Sequence, residues 1–395
     1  MTDQTLDSPL LADGSPLDDR QKAVVERVSA KERAGILALP TDDPLDPERR
    51  RRVDATRGEM LGQQGAIRAT WERNADALPG IAARIAGRRL DRVFLVGAGD
   101  SLAVMIAARR TLELMLRVPC EPVQALEFAY YQQHLVTSDS LVVALSSSGE
   151  TTRTVEALLV AQHAGALTLA LTNTPGSTLD VESGDTLLLA ATRVGWPTQS
   201  STTALSLLLL LAVEVGRLRG VDGAEALRAE LETLPETVET VLEDLDDQVA
   251  EIARIEAERT MYLFSAGGPT WAAAIIGAAK VKETSPDHAV EIQVEEFHHY
   301  NSQKPGEPMF LFAPSGPSVP RGVDTGRDAH RYGGTLYVAT TVGETAFDGI
   351  ADDILRLPVV SEALSPLLYV LPAQLIGYHL GMAKFAVAER EASRG

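Results

Sequence analysis

Between residues 92 and 216, short apolar runs at 93–96, 141–145, 167–171 and 186–189 alternate with stretches at 102–116 and 155–163 of helical spacing. Continuous runs of four to six apolar residues suit strands buried on both faces, and their alternation with helices predicts a parallel sheet wrapped by helices. A second block repeats the order: strand-like runs at 261–264, 290–294, 309–312, 336–339 and 354–357, with helices at 271–283 and 367–383. Both first strands end in a glycine turn, Gly97-Ala98-Gly99-Asp100-Ser101 and Ser265-Ala266-Gly267-Gly268. The shared order and the shared turn predict an internal duplication.

Between the blocks, Leu227, Leu231, Leu234, Val238, Leu242, Leu245, Val249 and Ile252 form an apolar stripe through an acidic stretch. It predicts a connecting helix, or a pair restarted at Pro235. The run 204–213 is apolar apart from Ser206. It is well short of the roughly 20 residues that span a bilayer and reads as a buried helix. Residues 1–47, rich in Asp and Pro with one helical pattern at 23–39, read as an arm. The basic run Arg49 to Arg52, flanked by Glu48 and Asp54, reads as a solvated helix start rather than a nucleic-acid patch.

Composition narrows the class. The 395 residues carry 36 Lys plus Arg against 55 Asp plus Glu, a formal charge of −19, which disfavours nucleic acid as a partner. With 45% hydrophobic and 23% charged residues the chain is globular, and its length suits two domains. The single cysteine, Cys120, excludes an intramolecular disulfide and a multi-thiolate zinc site, and fits a reducing cytoplasm. The start, MTDQTLDSPL, has no basic stretch followed by an apolar core, so the expected location is cytoplasmic, with no secretory signal and no membrane association.

Two turns carry candidate chemistry in the first block. Gly97-Ala98-Gly99 after a strand invites a dinucleotide, but Leu102 stands where a third glycine belongs and no acidic ribose ligand follows the next strand. A single phosphate suits it better. The sharper signal is Ser146-Ser147-Ser148-Gly149-Glu150-Thr151-Thr152, which follows a strand and opens a helix. Unpaired N–H groups and the helix dipole favour an anion there, and the hydroxyls add donors without charge. A plain N-cap is the simpler alternative. Thr198-Gln199-Ser200-Ser201-Thr202-Thr203, ahead of the apolar run, is a second hydroxyl cluster placed to close over the same ligand, or again an ordinary cap.

In the second block, Lys280 and Glu283 share a helix face, while Lys282 points elsewhere. After the strand at 290–294 comes Glu295-Glu296-Phe297-His298-His299-Tyr300. Carboxylate and imidazole together run proton transfers near neutral pH. A Lys280–Glu283 salt bridge and a solvated histidine loop are the plain alternatives. Adjacent histidines diverge, so no metal is expected.

These residues together resemble the sugar isomerase (SIS) family, most closely the two-domain isomerase portion of glucosamine-6-phosphate synthase and its relatives, the aminosugar-phosphate deaminases and fructosamine deglycases. The resemblance covers roughly residues 59–384 and is carried by Gly99-Asp100-Ser101, SSSGETT, AAKVKE, EEFHH and LSPLLYVLPAQLIGYHLGMAK. It implies an α/β protein of two tandem SIS domains, each a parallel five-stranded sheet flanked by helices, flavodoxin-like and three-layered. The implied division is an arm at 1–58, a first domain at 59–220, a connecting helix at 221–258 and a second domain at 259–395.

The resemblance also implies roles. Ser101, Ser146, Ser148 and Thr151 would hold a sugar phosphate, with Ser147 where the family often has glutamine, and Gly99, Ser200 and Ser201 beside the sugar. Glu283 matches the glutamate that moves a proton between C1 and C2. Lys280 matches a lysine on the same helix, and His299 matches the ring-opening histidine that reaches the site from the other subunit of a homodimer. No cofactor and no metal are implied. The expected activity is isomerisation, or amine loss, on a phosphorylated sugar or aminosugar; the alternative is a non-catalytic sensor of sugar phosphates. Three departures bear on this. Met1 is followed by Thr2 and not by a cysteine nucleophile, so a synthase fed by glutamine is not expected. Trp196 stands where the synthase has a glutamate before its second hydroxyl cluster. The chain stops at Gly395, about where the synthase continues to a Schiff-base lysine, and Lys384 belongs to the preceding helix.

Overall fold

The computed structural model describes residues 8–36, 42–300 and 303–394; Met1, Thr2, Leu39 and Gly395 lie outside them. The first of two five-stranded sheets contains β1 (Arg92–Gly97), β2 (Cys120–Gln124), β3 (Ser140–Leu145), β4 (Leu167–Thr172) and β5 (Thr186–Leu188), in the order β2-β1-β3-β4-β5. The second contains β6 (Met261–Ala266), β7 (His288–Gln293), β8 (Pro308–Ala313), β9 (Thr335–Thr341) and β10 (Asp353–Leu357), in the order β10-β9-β8-β6-β7. All neighbours are parallel. Counted within its own sheet, each order is 2-1-3-4-5, the flavodoxin-like arrangement, so the repeated order of elements is a repeated topology.

The helices are α1 (Asp19–Ile36), α2 (Pro47–Leu61), α3 (Gln63–Arg73), α4 (Ala77–Ala86), α5 (Asp100–Leu116), α6 (Ala125–Glu127), α7 (Thr152–His163), α8 (Thr178–Glu182), α9 (Gln199–Leu218), α10 (Ala224–Glu256), α11 (Trp271–Thr284), α12 (Val319–Arg331) and α13 (Ser365–Ala392). One core runs from Val93 and Leu95 of the first sheet to Phe264 and Phe310 of the second, through apolar residues of α5, α9, α10, α11 and α13. The outer face of the first sheet is covered by α1 and α7, and that of the second by α12. Each sheet is thus sandwiched between helix layers.

Two elements escape the apolar pattern. β2 is an edge strand in which only Cys120 and Val123 are buried, and α12 is polar with glycines at 322 and 326. The stripe at 227–252 belongs to a single helix, α10, that continues through Pro235. α9, the one described helix long and apolar enough to cross a membrane, lies mostly buried in the fold.

The basic run departs from the expected solvated face. Arg49 is buried and Arg52 is half-buried, its guanidinium 3.6 Å over the ring of Trp196. The arm likewise packs, with Val24, Val25 and Val28 of α1 buried against α7, because its few apolar residues sit on one helix face.

Candidate functional site

β1 and β3 are neighbours whose chains leave in opposite directions, the point where a parallel sheet opens a crevice at its carboxyl ends. The turns that follow them wall a cavity of about 290 Å³. Gly97 makes the first turn tight: a Cβ there would lie 2.8 Å from the carbonyl carbon of Ser101. Gly99 follows at φ +56°, and Asp100 opens α5.

The second turn is organised by its own hydroxyls. Ser146 Oγ lies 2.8 Å from Thr151 Oγ1 and 3.3 Å from Ser148 Oγ, and accepts the N–H of Gly149 at 3.1 Å. Ser148 Oγ accepts the Glu150 N–H at 3.2 Å. Gly149, at φ +66°, packs so tightly that a Cβ would collide with the Ser177 hydroxyl. The negative charge of Glu150 is directed away, taking the N–H and hydroxyl of Thr178 at 3.1 and 2.9 Å and an ion pair with Lys31 at 3.4 Å. Thr151, at the head of α7, makes no side-chain cap to the helix. The plain N-cap reading therefore does not describe the turn, whose Ser146, Ser147, Ser148 and Thr151 line the cavity. Ser147 Oγ is buried without a hydrogen-bond partner among the described residues.

Gly99, Ser101, Ser146, Ser147, Ser148, Thr151, Ser200, Ser201 and Glu283 all line this one cavity. Ser200 and Ser201 come from the first turn of α9, and Glu283 from the last turn of α11. Lys280 lies just behind, 2% exposed, with Nζ donating to Glu283 Oε2 at 2.5 Å and to Asp100 Oδ2 at 2.7 Å. Asp100 also accepts the Ser201 hydroxyl at 3.2 Å. One chain of contacts thus links the first sheet, α9 and the second block. Its backing is α13: Gly377 brings the two helices so close that a Cβ would sit 2.3 Å from Lys280 Cβ. The tail stretch LIGYHLG owes its pattern to this contact.

Burial dominates the electrostatics. It pushes the Glu283 carboxyl above the ordinary glutamate range; Lys280 pulls it back and Asp100 repels it further. For Lys280 burial acts against the charge, but Asp100 and Glu283 outweigh it and hold the ammonium above its usual pKa. A carboxylate with a raised pKa, held by a fixed cation at a cavity wall, can accept and return a proton near neutral pH.

Not every expected residue arrives. His299 is 61% exposed, 3.6 Å from Glu295, and is not among the residues lining the cavity of its own chain. His298 is held by Asp328 and Thr325 at 3.0 and 3.1 Å, a structural contact. Lys384 pairs with Asp287 at 2.9 Å and lines a different cavity. Trp196 is buried under Arg52 and does not line the cavity. Sequence reasoning missed Asp100, which it quoted only as part of a turn, and Arg193, a further lining residue. For Asp100 a signal existed, an acid at the first position of a helix that opens the site. For Arg193 there was none. Among the described residues, no group of three or more His, Cys, Asp or Glu is placed to hold a metal.

Comparison with known proteins gives the same frame. Residues 88–214 match the SIS domain family model. The chain is 28% identical over 336 residues to the glutamine–fructose-6-phosphate aminotransferase (isomerizing) of Pyrococcus horikoshii, covering 82% of this chain and 54% of that protein. The chain thus spans about half the length of the curated relatives it matches. Among solved structures, the C-terminal domain of the glucosamine-fructose-6-phosphate aminotransferase of Francisella tularensis superposes with a TM-score of 0.74 at 23% identity, covering 83% of this chain and 95% of that one. Glucosamine-6-phosphate deaminase of Thermotoga maritima gives 0.65 at 21% identity, covering 83% and 94%.

Proposed function

We propose that this chain, which belongs to the SIS domain family, is an enzyme that moves a proton between C1 and C2 of a phosphorylated sugar or aminosugar. The observation that carries this is the Glu283 carboxylate facing the same cavity as the Ser146–Thr151 turn, with Lys280 fixed against it. The phosphate sits on the turn, and its binding energy positions the reacting carbons against Glu283.

Glu283 takes the proton from C2 of the open-chain substrate. The electron pair passes to the C1 carbonyl, forming an enediol, or an enolamine when C2 carries an amine. Return of the proton to C1 completes the isomerisation. With an amine at C2 the product is a ketimine, and one water hydrolyses it to ammonia and the ketose phosphate. Lys280 holds Glu283 in place, and Asp100 holds Lys280. His299, exposed on its own chain, is assigned to the site of a neighbouring subunit, where it would open the sugar ring; its exposure and its absence from the cavity lining of its own chain support this reading.

The test is solvent exchange: in deuterium oxide the parent protein should label C1 of fructose 6-phosphate or C2 of glucosamine 6-phosphate. Binding without any exchange would instead make the chain a sensor, which needs the turn but has no use for a base. The shared site is tested by mixing inactive Glu283→Gln and His299→Ala chains. Random exchange makes half the dimers hybrids with one intact site of two, so roughly a quarter of parental activity should return. If mass measurements verify exchange and nothing returns, His299 serves no neighbouring site.

A further inference from the structure

The loop between β5 and α9 brings Arg193 to the wall of the cavity, and the rest of that loop is pinned. Glu59 of α2 accepts the N–H groups of Val194 and Gly195 at 2.5 and 3.2 Å. Thr56 Oγ1 accepts the Trp196 N–H at 2.8 Å, and Arg52 donates to the Gly195 carbonyl at 3.1 Å. Gly195 passes so close to α2 that a Cβ would lie 2.6 Å from the Thr56 nitrogen. From the other side, Gln199 accepts the Thr192 N–H at 2.8 Å and donates to the Glu59 carbonyl at 2.8 Å. Arg193, an exposed residue, is the long side chain of this loop among those lining the cavity, and it makes no hydrogen bond or ion pair among the described residues.

Charge says what it faces. The lining includes the acids Asp100 and Glu283, and Lys280 behind them is committed to both at 2.7 and 2.5 Å. The Ser146–Thr151 turn offers neutral donors only. Arg193 is the one cation among the lining residues, and Glu59, the acid nearest to it in effect, has both carboxylate oxygens on backbone N–H groups. A guanidinium with uncommitted donors matches an oxyanion in a forked, two-bond geometry that hydroxyls cannot supply.

We propose that Arg193 is a specificity-determining residue that engages an oxyanion of the substrate, either the phosphate on the turn or a second acidic group of the same sugar. This rests on the sugar-phosphate reading above. It gives α2 a purpose, since its Arg52, Thr56 and Glu59 hold the loop that presents Arg193.

The test is calorimetric titration of the full chain, parent, Arg193→Gln and Arg193→Lys, with three probes: inorganic phosphate, fructose 6-phosphate and 6-phosphogluconate, a phosphorylated sugar acid. If the phosphate is the partner, Arg193→Gln should weaken all three by about tenfold, with Arg193→Lys between. If a second acidic group is the partner, only 6-phosphogluconate should weaken, and it should bind the parent more tightly than fructose 6-phosphate. Both outcomes support the proposal. Unchanged affinities for all three in Arg193→Gln, with the parent still binding, overturn it while leaving the proposed function standing. A parent that binds none of the three overturns the function reading, and this proposal with it. Circular dichroism confirms the fold of each variant, and Thr56→Val, which loosens the loop but keeps the charge, should show the same pattern of loss in weaker form.

Discussion

The two sheets have the same topology but differ at the crevice each one opens. After β3 the chain runs into Ser146–Thr151, with hydroxyls bonded to one another and lining the cavity. After β8, at the corresponding point, it runs into Pro314-Ser315-Gly316-Pro317-Ser318. There the Ser315 hydroxyl donates to Glu344 at 3.1 Å, and Pro320 in the first turn of α12 removes a backbone donor. The carboxylate of Glu362 reaches this second crevice, 3.6 Å and 3.8 Å from where a Cβ on Gly316 and Gly268 would lie. The first crevice thus combines a hydroxyl turn with Asp100, Glu283 and Arg193, and the second combines Glu362 with Arg109 and Arg110 of α5. Topology repeats because it follows from strand order and crossover handedness; binding differs because it depends on the few residues that cap each strand.

The strongest way to break this contrast is to remove the acid from each crevice in turn. Glu283→Gln should lower C2 exchange by about 100-fold or more, the scale of a lost general base. Glu362→Gln should leave it unchanged; a comparable loss there would put chemistry at both crevices.

Next in size, Ser148→Ala or Thr151→Ala should weaken sugar-phosphate binding by about tenfold, one donor at an anion. The matched Ser315→Ala and Ser318→Ala changes should leave affinity at the parental value in the same titration. Equal losses from both sets would remove the asymmetry.

The joint between the copies can be strained through Gly377→Ala, whose Cβ would overlap Lys280 Cβ. Thermal or urea unfolding should show a loss of about 1–3 kcal/mol, the usual cost of overpacking, with exchange also reduced because Glu283 loses its fixed partner. Full activity with unaltered stability would mean that α13 does not position Lys280.

The smallest effect is a displacement of the pH profile. Burial raises the Glu283 pKa, so at a given acidic pH more of it is protonated than of a free glutamate. Activity should therefore fall, as pH decreases, at a higher pH than an exposed glutamate would give. Asp100→Asn removes the acid that repels the Glu283 charge, so its acid limb should move down. An unmoved limb would assign that limb to another group.

Much of this was legible in the chain. Four of the five strands of the first sheet and all five of the second follow from apolar or alternating runs. The inner strands β1, β3, β4, β6, β8 and β9 are nearly all buried and almost exclude charged residues, while the edge strand β7 follows the alternating run Val290-Glu291-Ile292-Gln293-Val294. The exceptions lack an apolar run: β2 has only Cys120 and Val123 buried and a proline at 122, and α12 is a polar helix whose glycines at 322 and 326 pack closely against the second sheet's core residues. Ser146–Thr151 was readable because strand, turn and helix are contiguous, and local sequence carries local geometry.

What tertiary structure alone decided is distance between remote residues. Nothing in the letters joins Asp100 to Lys280, 180 positions apart, or seats Arg52 on Trp196. The arginine run at 49–52 has the composition of a solvated face, yet α2 packs against α11 and α13 and pins the loop that bears Arg193. Periodicity reports which side of an element is buried, but the partner that buries it is set by how the whole chain closes around its core.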